Sequence, residues 1–109
     1  MLSKRFRLKT NDIKFVAFKG KKISSELFDL RIWNDSNLPN PVMTISISVK
    51  ISKRAHVRNR IKRLFREAFR TLILENKLKN GKYLVVVKSA KLEEMKSGEV
   101  TELVSGLLK

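Results

Sequence analysis

Residues 50–70 (Lys-Ile-Ser-Lys-Arg-Ala-His-Val-Arg-Asn-Arg-Ile-Lys-Arg-Leu-Phe-Arg-Glu-Ala-Phe-Arg) put two opposed surfaces on one stretch of chain. At about 100° per residue, Ile61, Leu64, Phe65, Ala68, Phe69 and Leu72 fall on one stripe. Asn59, Arg63, Arg66 and Arg70 fall on the opposite stripe, with Arg60 and Lys62 flanking it. Such a segment is satisfied only as a helix whose apolar side seals a core. The pattern predicts that helix over His56 to Leu78, with Asn80-Gly81 ending it. The rest of the chain must therefore supply an apolar face for it to cover.

The polar side is not an ordinary solvated surface. Residues 50–70 hold nine basic side chains and one acid, Glu67. Like charges at i,i+4, such as Arg58 and Lys62 or Arg66 and Arg70, destabilise a free helix. Arginine predominates within the helix, and its planar fork suits bidentate phosphate contact and stacking on bases. An anionic partner is expected to settle this face.

The whole chain agrees. Its 109 residues include 25 Lys or Arg against 10 Asp or Glu, a formal net charge of +15. That length suits one domain, and 42% hydrophobic residues are too many for a disordered basic tail. So large a charge repels itself in the compact state, and a bound polyanion would relieve it. Nucleic acid ranks first as that partner, an anionic membrane surface second and small acidic ligands last. Cysteine is absent, which excludes disulfides, a thiol nucleophile and Cys-based metal sites. No apolar run approaches the roughly eighteen residues needed to span a bilayer. The start, Met1-Leu2-Ser3-Lys4-Arg5-Phe6-Arg7, lacks the apolar stretch of a signal peptide. The expectation is a soluble, cytoplasmic protein without a membrane partner.

Periodicity outlines the other elements. Asn11 to Lys19 reads as a helix, capped by Thr10 and ended by Gly20. Ile13, Val16 and Ala17 share one face of it. Phe15 and Phe18 point elsewhere on the wheel, and core packing is their expected role. Ile23 to Trp33 reads as one strand, with Phe28, Leu30 and Ile32 alternating with Asp29 and Arg31. Residues 34–41 are turn chemistry throughout. Met43 to Ile51 alternates as a second strand, and Lys82 to Lys88, with Val85-Val86-Val87, reads as an interior one. Glu99 to Leu108 reads as a last helix with Val100, Leu103, Val104 and Leu107 on one side. Together these give an α+β sandwich, a sheet covered by helices in one domain spanning residues 1–109.

Protein-borne catalysis has little support in the sequence. His56 is the only histidine and has no acid or second His beside it. A surface or RNA-edge position is expected for it. Asp12, Asp29 and Asp35 are scattered singly, without metal-ligand spacing. Glu93-Glu94 is read as the charge complement of the last helix's N-terminus. Trp33 and Tyr83 are expected in the core. No nucleophile, general base or phosphate-cradling glycine loop emerges, so hydrolysis by this chain alone is not expected.

Arg58-Asn59-Arg60-Ile61-Lys62-Arg63-Leu64-Phe65-Arg66-Glu67-Ala68-Phe69-Arg70 resembles the signature helix of the bacterial ribonuclease P protein subunit. The resemblance extends to the Arg7-Leu8 start, the Asp12 to Gly20 helix, the Ser46 and Ser48 strand and the Lys82-Tyr83 strand. It implies a central, mostly antiparallel sheet of about four strands with a left-handed strand–helix–strand crossover. It also implies a subunit of an enzyme whose large RNA uses Mg2+ to remove the 5′ leader of precursor tRNA. The protein would be a monomer in a one-to-one complex with that RNA. Carried over by position, Lys53, Arg54, Arg58, Arg60, Arg63 and Arg70 would contact the catalytic RNA. Ile13, Ala17, Arg31 and Ser48 would meet the leader. Asn59, Lys62 and Arg66 would line the side facing the leader and bound metal.

The chain departs from the family in places. Ile13 and Ala17 stand where the family usually presents aromatic rings, and Arg31 where it often has another. Stacking is worth about 1–3 kcal/mol per ring, so leader stacking there is expected to be weaker, with Arg31 able to replace part of it and Phe15 and Phe18 able to compensate only if the helix is rotated. The loop from Val49 to Arg58 is one residue shorter than usual. Composition alone also fits a ribosomal or other structural RNA-binding protein, or a DNA-compacting protein. The Arg-Asn-Arg motif separates the first reading from these.

Overall fold

The two-faced segment is a single helix in the computed structural model, which describes residues 6–8 and 10–108 apart from the side chains of Thr10 and Asn11. This helix, α2 (Ala55–Leu74), buries Val57, Ile61, Leu64, Phe65, Ala68, Phe69 and Leu72. The element order is α1 (Thr10–Lys19), β1 (Lys21–Ser24), β2 (Phe28–Asn34), β3 (Val42–Ser46), α2, β4 (Gly81–Val87), a 3-10 turn (Ala90–Glu94) and α3 (Ser97–Leu107). The cap expected from Thr10 lies outside the described side chains.

The strands form one sheet in the order β1-β2-β4-β3. β1 and β4 run antiparallel to β2, whereas β3 and β4 are parallel, with Met43 opposite Tyr83 and Ile45 opposite Val85. A parallel pair cannot be joined by a tight hairpin, and α2 makes the connection. Strand alternation sorts the side chains between two cores. Phe28, Leu30, Met43, Tyr83, Val85 and Val87 meet α2 and α3 on one face. On the other face Leu84 packs with Leu8 and Val16, flanked by Ile13, Ala17, Val42 and Val86. α2 and α1 thus cover opposite faces. Gly20 fits where α1 turns into β1, because a Cβ there would stand 2.5 Å from the Val16 carbonyl oxygen.

Several boundaries differ from the periodic reading, each for a local reason. The strand expected over Ile23 to Trp33 is a hairpin of β1 and β2. Ser25 closes it: its hydroxyl donates to the Phe28 carbonyl at 2.6 Å, and its amide donates to the same oxygen at 3.0 Å. β3 stops at Ser46 rather than reaching Ile51. Ser48 folds the following chain into a turn, its carbonyl accepting from the Ile51 amide at 3.1 Å and its hydroxyl from the Lys50 amide at 3.2 Å.

α2 ends at Leu74, short of Leu78. Asn76 takes a left-handed conformation, φ 55°. The Lys77 amide then donates to the Leu72 carbonyl at 2.9 Å and the Asn76 amide to that of Ile73 at 3.1 Å. This is the Schellman closure, and asparagine enters that conformation more readily than most residues. Glu93 and Glu94 belong to the separate 3-10 turn. The acid that caps α3 is Glu99, whose carboxylate accepts from the Lys96 amide at 3.1 Å. Leu103, expected on the buried side of α3, is 38% exposed.

The α2 terminus gives a direct test. Replacing Asn76 by Gly should raise stability by up to about 1 kcal/mol, while Asn76→Val should lower it by about 1–2 kcal/mol. Urea denaturation of both variants measures the difference, and equal stabilities would contradict the closure.

Candidate nucleic-acid interface

α2 presents its cations in two arrangements. On the outward stripe, Asn59, Arg63, Arg66 and Glu67 line one shallow depression of about 290 Å3. Arg70 continues the stripe, its guanidinium 3.9 Å from the Glu67 carboxylate. Nearer the helix start, the arginines are oriented by backbone carbonyls. Arg58 donates to the Ser52 carbonyl at 2.8 Å, and Arg60 donates through Nε to the Glu93 carbonyl at 2.7 Å. A carbonyl directs a guanidinium without neutralising it, so these contacts aim the charge and preserve it.

The entry to α2 is itself suited to an anion. Arg54 occupies the N-cap position without a side-chain cap, and the first turn holds no acid. The helix therefore begins with first-turn amides that the Arg54 side chain does not cap, at the positive end of its dipole. Lys53, Arg54 and His56 surround this end, all exposed. Phosphate oxygens satisfy such a terminus directly.

The second set of sequence-selected residues sits on the opposite face. Ile13 and Ala17 are half-buried where α1 lies over the sheet. Arg31 comes from β2 beneath them, and its guanidinium donates to the Ala17 carbonyl. It thereby ties the sheet to the last turn of α1, where the helix dipole favours a cation. Its buried Nε–H meets no acceptor among the described residues. Ser48 lies beyond β3 as an exposed residue in the turn before α2, its hydroxyl accepting from the Lys50 amide. The structure therefore places Ile13 and Ala17 in the apolar cluster between α1 and the sheet and ties Arg31 to Ala17, whereas Asn59, Lys62 and Arg66 belong to α2.

Two features escaped the sequence. Asp29 is buried at 7% exposure on the α1 face of β2, with Lys88 at 3.1 Å and Lys22 at 3.8 Å. Burial alone would push its carboxyl up. Hydrogen bonds from Lys88 and Ser24 and the charges of Lys88 and Lys22 outweigh that and hold it below its ordinary value. Alternation could place Asp29 away from α2, but its partners depended on the hairpin. Tyr83, in the core as expected, donates its hydroxyl to the Lys79 carbonyl at 2.6 Å. Burial raises its pKa, so it stays neutral.

The other feature is aromatic. Phe15, Phe18 and Trp33, expected in the core, are 38%, 85% and 37% exposed. Val16 takes the buried position of α1, so Phe18, two residues on, turns outward, while Phe15, one before, lies on the flank against Trp33. The wheel had shown them off the apolar face, and that was the available signal.

Because Asp29 is more acidic folded than unfolded, its contribution is complete above the ordinary carboxylate range, near pH 4, and is lost as pH falls below it. Asp29→Asn should lower stability at pH 7 by about 1–2 kcal/mol, with the gap to the parent chain closing as pH falls below the ordinary carboxylate range. Thermal melts across that range measure this, and a gap independent of pH would contradict it.

Comparison with known proteins adds three findings. The family model described as Ribonuclease P matches residues 2–109. A ribonuclease P protein component from Legionella pneumophila is 43% identical over 63 residues, 58% of this chain and 54% of its own. One from Bacillus cereus is 34% identical over 100 residues, 91% and 84% of the respective lengths. The matched stretch thus spans about half the length of the first of these relatives. Among solved structures, the Thermotoga maritima RNase P protein superposes with a TM-score of 0.75 at 28% identity, covering 94% of this chain and 97% of that one.

Proposed function

Since this chain belongs to the ribonuclease P protein family, we propose that it serves as the protein subunit of a ribonuclease P, helping a catalytic RNA to remove the 5′ leader of precursor tRNA. The observation that carries the reading is α2, an Arg-Asn-Arg helix with one side locked in the core and the other cationic. In this role Lys53, Arg54, Arg58, Arg60, Arg63 and Arg70 hold the catalytic RNA. Their guanidinium and ammonium groups neutralise phosphates, and the uncapped start of α2 accepts one more. Ile13, Ala17, Arg31, Ser48, Asn59, Lys62 and Arg66 face the leader. The complex contains one protein monomer per RNA and works in the cytoplasm. No helix among the described residues is long and apolar enough to cross a membrane.

The chemistry belongs to the RNA in this reading. Among the described residues no group of three or more His, Cys, Asp or Glu side chains could hold a metal. The carboxylates instead meet cations: Asp12 meets Lys82 at 3.3 Å, and Asp29 meets Lys88 at 3.1 Å. These residues do not fit a resident magnesium site, so Mg2+ is assigned to the RNA. The protein's part is electrostatic: it lowers the repulsion between two RNA strands that must approach each other.

The test is cleavage of precursor tRNA by a bacterial catalytic RNA at low magnesium, with and without this protein. Addition of the protein should restore cleavage. Failure to do so would favour a structural RNA-binding protein with no processing role. With about 6–10 phosphate contacts, affinity for the catalytic RNA should fall roughly 10³–10⁵-fold between 50 and 200 mM salt. A flat salt profile would contradict the phosphate contacts.

A further inference from the structure

Lys14, Phe15, Phe18 and Lys19 are exposed along α1, with Lys14 and Phe18 turned away from the sheet and Phe15 on the flank where the helix meets β2 and β4. On a helix, residues three and four apart are neighbours. Phe15 therefore adjoins Phe18 and Lys19, and Lys14 adjoins Phe18. Both lysines are exposed. Trp33 extends the surface from β2, its ring meeting that of Phe15 edge to face at 4.8 Å and 78°. Lys82 places its ammonium 5.5 Å from the centre of the Phe15 ring while pairing with Asp12 at 3.3 Å.

Aromatic residues are used differently elsewhere in this chain. Phe28, Phe65, Phe69 and Tyr83 are buried, and Phe6 packs against the same core. Phe15, Phe18 and Trp33 alone stand outside it, and Phe18 is 85% exposed. A phenylalanine so placed forgoes the burial that normally stabilises it. The apolar cluster between this helix and the sheet contains no ring, and Ile13 and Ala17 are its half-buried members from α1.

We propose that this exposed flank and outer side of α1, with Phe18, Phe15 and Trp33 as stacking surfaces and Lys14 and Lys19 as backbone contacts, binds single-stranded RNA beside the apolar cluster that joins α1 to the sheet. Rings stack on any base, and interleaved lysines follow the phosphates, which is the composition of a sequence-tolerant single-strand groove. Charge selects the occupant: a chain of net charge +15 with lysines around its exposed rings favours a polyanion bearing flat apolar groups over a neutral protein surface. The identity of the strand as leader RNA rests on the function proposed above. The stacking surface does not.

Trp33 is the only tryptophan, so the chain carries a fluorescent reporter within the patch. Titration of the full chain with an oligouridylate of about eight nucleotides should quench Trp33 emission saturably. Phe18→Ala and Phe18→Leu should each weaken binding by about 5- to 150-fold, and Phe18→Tyr should stay close to the parent. Phe18 lies outside both cores, so these variants keep the fold. Absence of quenching, or a Phe18→Leu chain that binds like the parent, would overturn the platform. Quenching by anionic lipid vesicles with none by the oligonucleotide would overturn it in favour of a membrane surface. The low-magnesium cleavage assay reads the functional proposal separately. Restored cleavage alongside unchanged Phe18→Leu binding removes the platform alone. Absent restoration alongside ring-dependent quenching keeps the platform and removes the leader as its occupant.

Discussion

The packing of α2 against the sheet is the interaction on which the molecule depends. Phe65 meets Phe28 edge to face at 4.9 Å, and Phe69 meets Tyr83 in the same manner at 5.8 Å. These contacts fix the rotation of α2 about its axis. Once Ile61, Phe65 and Phe69 point inward, the 100° step turns Asn59, Arg63, Arg66 and Arg70 outward. One helix thereby closes the core and exposes the cationic stripe. Neither surface can slip without the other, because a helix bearing large apolar residues on one side has a single stable seating.

The same helix carries charges that repel each other, and the fold arranges rather than removes them. Carbonyls of Ser52 and Glu93 orient Arg58 and Arg60, and the first turn of α2 has neither a cap nor an acid. A chain selected for stability alone would place Asp or Ser there. Without such a cap or acid the free protein is less stable than it could be. On the opposite face, acids are used to the contrary end. Asp29 sits between Lys22 and Lys88, and Asp12 pairs with Lys82, so α1 and the hairpin are held by compensated charge.

What the sequence could reveal followed the length scale of each signal. α2, β4 and the α+β class were legible because apolar side chains recur over many residues and outweigh local detail. The hairpin inside residues 23–33, the stop of β3 at Ser46 and the end of α2 at Leu74 were not. Each depends on one hydrogen-bonding residue, Ser25, Ser48 or Asn76, whose effect is comparable to the preference of the flanking residues to continue. The cationic stripe was legible as a face, and Asn59, Arg63 and Arg66 do gather in one depression. The outward aromatics run against the sequence pattern because a phenylalanine is normally more stable buried. α1 is too short, with Val16 its one fully buried position among the described side chains, to hide rings on several sides. Arg31 was identified as a position, but its hydrogen bond to the Ala17 carbonyl needed the packing of α1 on β2.

The separation of the two sides of α2 is open to direct measurement. A chain with Arg63→Gln and Arg66→Gln together should melt at the same temperature as the parent or higher, since like-charge repulsion is relieved and no core contact is touched. Its affinity for ribonuclease P RNA should fall at least about tenfold, with a shallower dependence on salt. A lower melting temperature with unchanged RNA affinity would mean that the arginine stripe serves the fold and not the RNA.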